Sequence, residues 1–387
     1  MQTVYLDHAA TTPVDERVVD AMLPFFTEQY GNANSTHELG SSAKVAVEEA
    51  RETIADIIGA EPAEIIFTSG GTESDNTAIK GVVEATGKTE VITSPIEHHA
   101  VLHAVEALKR RGVKPIYLEP DDDGTVAPGK VAEAITDETA LVTLMHVNNE
   151  IGSINAISEI STICREHEVL LHSDTVQSVG KLPVDVNELG VDFLSISGHK
   201  IYGPKGVGVL YMRHGSAWIP WMHGGSQERR RRGGTLNVPG IVGLATALEL
   251  IDKQRAKQNE HFKKLRARLI KGLDQQFGDT VQINGPETGA GVPHIINLSF
   301  TNPSGGALDG EMLLLNLDVE GICVSNGSAC TSGAMEPSHV LSGIGMADDI
   351  ANSSIRISLG RDNTAAEIDY LIEKLKLVVD RMRTVTA

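Results

Sequence analysis

The chain has 387 residues, 41% of them hydrophobic and 22% charged, with a formal charge of −19. This is the composition of an ordinary globular protein, and its length allows one to three domains. The acidic excess argues against direct nucleic-acid binding, and no apolar run approaches the ~18 residues that cross a membrane.

The first residues, Met1 to Asp7, carry no basic region of the kind that opens a secretory signal. Cys164, Cys323 and Cys330 are the only cysteines, too few for a disulfide framework, so a reducing cytoplasm is expected. From residue 62 to about 212, short β-branched runs alternate with helical patterns. Strands are predicted at 64–68, 90–94, 114–118, 140–147, 169–172, 191–196 and 206–212. Helices are predicted between most of them, at 73–85, 100–111, 130–135 and 157–167. Such alternation, with near-continuous apolar strands, predicts an α/β fold whose mostly parallel central sheet is covered by helices. A long helix is predicted from about 239 to 276, with its charged stretch 254–268 read as an exposed connector. Strands at 294–300, 321–324 and 354–359 and a terminal helix at 365–382 predict a smaller α+β domain.

Ligands of open α/β sheets bind beyond the carboxyl ends of the strands. Five predicted strand ends carry polar groups there: Ser69–Thr72, Glu97–His99, Asn148–Glu150, Asp174 with Gln177, and His199-Lys200. Lys200 stands between an apolar strand and the turn Gly203-Pro204-Lys205-Gly206, a placement suited to a Schiff-base lysine. Gly70-Gly71-Thr72 enters a helix, where main-chain N–H groups can meet a phosphate, although a plain helix cap has the same pattern. Asp174 at a buried strand end calls for a cationic partner such as a pyridine nitrogen, or serves as a helix cap. His98, His99 and His103 lack a completing ligand for a metal, so no metal is expected; an acid/base or ring-stacking histidine is preferred, with a helix-capping role as the plain alternative.

Cys330 lies in a stretch of small residues, Ser325 to Gly333, and reads as an exposed nucleophile on a mobile loop. Cys164 and Cys323 read as core cysteines. Arg356 alternates with apolar neighbours on a strand and is either structurally paired or a rigid fork for a carboxylate. The run Arg229–Arg232 reads as a solvated loop, with an anion or subunit contact as the sharper alternative.

Together these segments resemble the cysteine desulfurases of the NifS/IscS type, within the class V aminotransferase fold of pyridoxal 5'-phosphate (PLP) enzymes. The resemblance runs over essentially the full length. It is carried by Tyr5–Pro13, Thr68–Asn76, His146–Gly152, Asp174–Lys181, Ser197–Gly206, Gly233–Leu236 and Gly327–Thr331. It implies a large PLP-binding domain at 14–255, and a small domain formed by 1–13 with 256–387 that carries a catalytic loop at about 325–338.

By the same resemblance, Lys200 would hold PLP and move the substrate's α-proton. Asp174 would pair with the ring nitrogen and Gln177 with the ring oxygen, while His98 would stack on the ring and assist proton transfer. Gly71, Thr72, Ser197 and His199 would hold the phosphate, joined by Thr235 from a second subunit of a homodimer. Asn149 and Arg356 would hold the carboxylate of L-cysteine. The reaction implied gives L-alanine and a Cys330 persulfide, passed to iron–sulfur scaffold or tRNA-modifying proteins. A selenocysteine lyase or another PLP enzyme of this fold is the alternative, and Cys330 argues against it.

Overall fold

The computed structural model describes residues 3–287, 289–303, 305–326 and 337–385. Cys330 and most of the predicted 325–338 loop lie outside the described residues. Twelve strands are named in chain order: β1 Val4–Tyr5, β2 Ile65–Thr68, β3 Glu90–Thr93, β4 Lys114–Tyr117, β5 Thr139–Thr143 and β6 Leu170–Asp174, then β7 Phe193–Ser197, β8 Gly208–Met212, β9 Val281–Asn284, β10 Ile295–Phe300, β11 Ile322–Cys323 and β12 Ser354–Ser358.

Seven of these form one sheet in the order β2-β8-β7-β6-β5-β3-β4. Only β8 runs antiparallel to its neighbours, so the other six share one direction and present their carboxyl ends on one side. The central strands β5, β7 and β8 are buried at every position, as a sheet covered on both faces requires.

One core gathers side chains from Val18 to Ile251 on one face of this sheet, and a second, built around Ile79, Val101 and Phe193, covers the other. A separate core joins Val4 and Leu6 to Phe262, Leu298, Ile357 and Val379 around the antiparallel sheet β12-β10-β9. The helix Val238–Phe277 connects these cores. Its charged second half is not an exposed connector: Phe262, Leu265, Leu269, Leu273 and Phe277 recur at helical spacing and are buried in the smaller core. The polar residues of that stretch occupy only the outer face, and they dominate a reading by composition.

The predicted strand at 140–147 is regular only to Thr143, although Leu144 N still donates to the His172 carbonyl of β6 at 3.2 Å. His146 N donates to the Asp174 carbonyl at 2.9 Å, and the Asn148 side chain accepts from Glu150 N and Ile151 N. The helices Glu16–Met22 and Glu38–Ile58 and the strand β9 carry no counterpart in the sequence reading. No helix among the described residues is long and apolar enough to cross a membrane.

Candidate active site

The carboxyl ends of β2, β3, β5, β6 and β7 open on one cavity of about 420 Å³. Gly71, Thr72, His98, Asn149, Asp174, Gln177, Ser197, His199, Lys200 and Arg356 all line it. Thr235 is exposed and does not line it. Cys330 lies outside the described residues, while Ser325 and His339, on either side of that stretch, reach the cavity.

Lys200 ends the short turn Gly198–Lys200 directly after β7. Two residues on, Tyr202 adopts φ 63°, a left-handed conformation that a tyrosine holds only when its surroundings enforce it. They do so through Arg361, whose guanidinium lies 4.1 Å from the ring centroid and whose main-chain N–H donates to the Tyr202 hydroxyl at 2.8 Å. Thr12 ties the same turn by accepting from Tyr202 N and donating to the His199 carbonyl. So fixed, Lys200 donates from Nζ to the carbonyls of Ala9 at 2.6 Å and Ala10 at 2.8 Å. Burial and the charge of Arg356 lower its pKa to about 8, which favours the neutral amine a Schiff base needs.

Asp174 ends β6 and accepts from Val176 N at 2.9 Å. Burial raises its carboxyl above the ordinary range, and Lys200 offsets part of that shift. A positively charged ring nitrogen would supply the counter-charge that this carboxylate wants. Gln177 donates to the Ala9 carbonyl at 2.9 Å.

His98 is the N-cap of the helix His99–Leu108, and its Nδ1 accepts from Ala100 N at 3.1 Å. That bond places the ring proton of the neutral imidazole on Nε2. The ring opens on the cavity, yet the surrounding protein and then the charge of Lys200 lower its pKa to about 4. His98 therefore serves as both helix cap and cavity wall. The rings of His99 and His103 stack at 5.0 Å, and His339 lies 4.5 Å from His99 at the cavity rim.

A second cleft, of about 440 Å³, adjoins the first and is lined by Ser69–Glu73, Ser197, His199 and Lys205. Gly70 has φ 148° and ψ −179°, a conformation open essentially to glycine alone. A Cβ on Gly71 would stand 2.9 Å from the Val176 side chain, too close for any other residue without a shift. Both glycines thus bring main-chain N–H groups to the start of the helix Gly71–Thr86, a cradle that fits a phosphate.

Arg356, on β12, crosses from the smaller domain. It donates to the Asn149 carbonyl at 3.0 Å and pairs with Asp7 at 2.9 Å, leaving Nε without a hydrogen-bond partner. It is therefore structurally paired, and it still lines the cavity.

The structure adds a buried layer of which only Glu97 was placed at a strand end from sequence. Asp75 and Glu97 are each 1% exposed, and burial raises both carboxyls well above their ordinary range. Asp75 lies 3.5 Å from His172, which is held by Thr143 and Ser195. Asp75 stands three residues after Thr72, a helical spacing that puts both on one side. Cys164 is 1% exposed, and burial lifts its thiol to about 12, so it is a core residue. Cys323 is not: it sits half-buried on the two-residue strand β11, too short to cover it. The arginine run is a solvated loop only in part: Arg229 and Arg230 are exposed, whereas Arg232 pairs with Glu73 at 2.8 Å and Arg231 donates to the Ala63 carbonyl.

The model of the family described as aminotransferase class-V matches residues 4–371. A cysteine desulfurase IscS of Dictyoglomus turgidum is 47% identical over 385 residues, covering 99% of this chain and 96% of the relative. Among solved structures, one titled NifS-like protein superposes with a TM-score of 0.91 at 39% identity, covering 98% of this chain and all of that one. Another, titled SspA in complex with cysteine, has a TM-score of 0.82 at 35% identity and covers 94% of this chain and all of its own.

Proposed function

The chain belongs to the class-V aminotransferase family and to its cysteine desulfurases, and on that premise we propose that it converts L-cysteine to L-alanine with transfer of sulfur to Cys330. Members of this family depend on PLP, which when bound supplies an electron sink for bond changes at the carbons of the amino acid. The observation that carries the assignment to this cavity is the meeting of Lys200, Asp174 and the Gly70–Thr72 cradle, with Arg356 opposite.

In this reading Lys200 holds the cofactor and then, as a free amine, moves the α-proton of the substrate. Its lowered pKa makes the neutral amine easier to reach than in an ordinary lysine. Asp174 would stabilise positive charge on the ring nitrogen, Gln177 would meet the ring oxygen, and His98 would stack on the ring and relay protons. Gly71, Thr72, Ser197 and His199 bind the phosphate through N–H, hydroxyl and imidazole donors. Arg356 and Asn149 hold the substrate carboxylate. The Cys330 thiolate attacks the substrate sulfur, so that an S–S bond forms as the Cβ–S bond breaks and the carbon skeleton leaves as alanine.

The resulting persulfide passes to a protein acceptor serving iron–sulfur cluster assembly or tRNA thiolation, in the cytoplasm. Two separate hydrophobic cores support a division at about residue 255, with 1–13 joining the smaller domain. Exposed Leu23, Phe26, Tyr30 and Val45 support a homodimer in which the partner's Thr235 joins the phosphate site.

The test is alanine release from cysteine, measured alongside persulfide on the protein. Lys200→Ala is expected to release none. Cys330→Ala is expected to keep the yellow cofactor and form no persulfide. Wild-type alanine release by Lys200→Ala, or persulfide retained on Cys330→Ala, overturns the assignment.

A further inference from the structure

The loop bearing the four arginines is held in an unusual conformation. Glu228, Arg229 and Arg230 have φ of 43°, 56° and 67°, three successive side-chain-bearing residues in the left-handed region. What holds them is a set of contacts to the chain on either side of the phosphate cradle. Before the cradle, buried Glu228 accepts from Arg51 through both carboxylate oxygens, at 2.7 and 3.0 Å, and from Phe67 N at 2.8 Å. After it, Arg232 grips Glu73 with two parallel bonds, Nε to Oε1 at 2.8 Å and Nη2 to Oε2 at 3.1 Å. Glu73 in turn accepts from Ser69 N at 2.7 Å.

Glu73 lies in the first turn of the helix Gly71–Thr86, the end that faces the proposed phosphate. Glu73 lines the phosphate cleft, so an unneutralised carboxylate there would repel a phosphate dianion. It would also be free to swing away from Ser69 and release the turn that aims the Gly70 and Gly71 N–H groups. Arg232 removes both problems, because a bidentate guanidinium cancels the charge and fixes the carboxylate plane. Arg232 lines neither the main cavity nor the phosphate cleft.

We propose that Arg232 is a positioning residue for the cofactor phosphate, acting through Glu73 and Ser69 without touching the phosphate. This rests on reading Gly71, Thr72, Ser197 and His199 as the phosphate site.

The experiment compares equilibrium binding of PLP and of pyridoxal, which lacks the phosphate, to the full chain stripped of cofactor. Arg232→Gln is expected to weaken PLP about tenfold or more and to leave pyridoxal unchanged. Arg232→Lys should recover part of the loss. Adding Glu73→Gln to Arg232→Gln should raise PLP affinity again, because the unpaired carboxylate is gone; a merely structural arginine would show no such recovery. Equal weakening of PLP and pyridoxal, or no recovery in the double variant, overturns the proposal. Thr72→Ala separates the two readings. If it lowers PLP affinity selectively while Arg232→Gln does not, the role of Arg232 alone falls. If neither is selective, the phosphate site falls and takes this inference with it.

Discussion

Lys181 donates from its buried ammonium to the main-chain carbonyl of Lys200 at 2.6 Å, so one lysine anchors the backbone that presents the other. Neither has a carboxylate close enough to form an ion pair among the described residues. Burial, and then the charge of Lys200, lower Lys181 to about 7, while Lys200 itself falls to about 8. The site thus holds two amines that give up protons far below the ordinary lysine value.

This bears on the stability of the cofactor-free protein, in which buried Lys181 faces the charge of Lys200. A lysine with a folded pKa of about 7 and an ordinary value of 10.5 binds fewer protons folded than unfolded between those limits. Stability therefore rises with pH across that window, and the cost of burying the charge is fully present below it. Urea unfolding at several pH values should show the wild type gaining stability between pH 7 and 10 relative to Lys181→Met. Parallel curves for the two proteins would refute the depressed pKa.

His98 is neutral throughout the physiological range, because its pKa lies at about 4. The activity of the enzyme should therefore show no acid limb centred near 6.5 that disappears in His98→Gln. That variant should retain bound cofactor by absorbance and lose about 10²–10⁴-fold in kcat, the usual worth of a positioned acid or base. A loss confined to cofactor binding would reduce His98 to a stacking surface.

Arg356 offers a planar fork that lysine cannot copy, two of its nitrogens being spent on Asn149 and Asp7. Arg356→Lys is expected to raise KM for cysteine about tenfold or more, with a smaller change in kcat. Asp7→Asn keeps the guanidinium and should cost less. Unchanged KM in Arg356→Lys would move carboxylate recognition elsewhere.

Much of the site was legible because it sits where short-range signals are strong. Buried β-branched strands ending in polar residues located Lys200, Asp174 and Asn149, and paired glycines before a helix located Gly71 and Thr72. The layer beneath was legible only at Glu97, which the sequence placed at a strand end. Asp75, Glu97 and His172 come from three different elements, and only folding shows that they share one buried space. The helix Glu38–Ile58 escaped for another reason: its buried stripe mixes Gly40, Ala43, Ala50 and Arg51 with Val47 and Ile54, which blunts the hydrophobic period. Arg51 turns inward onto Glu228, a partner 177 residues away that no local pattern announces.

That partnership supports the last expectation. Arg51 and Glu228 have side chains only 5% and 1% exposed, and the guanidinium also lies 4.7 Å from the Phe67 ring centroid. Arg51→Met leaves a buried carboxylate without its cation, a change that costs about 3–5 kcal/mol. Adding Glu228→Gln removes the stranded charge yet keeps an acceptor for Phe67 N, so the double variant should be more stable than Arg51→Met alone. Denaturant unfolding of the wild type, both single variants and the double variant gives the coupling directly. If the double variant loses the sum of the two single losses, the pair is not coupled, and the left-handed turn at Glu228–Arg230 must be held by something other than this ion pair.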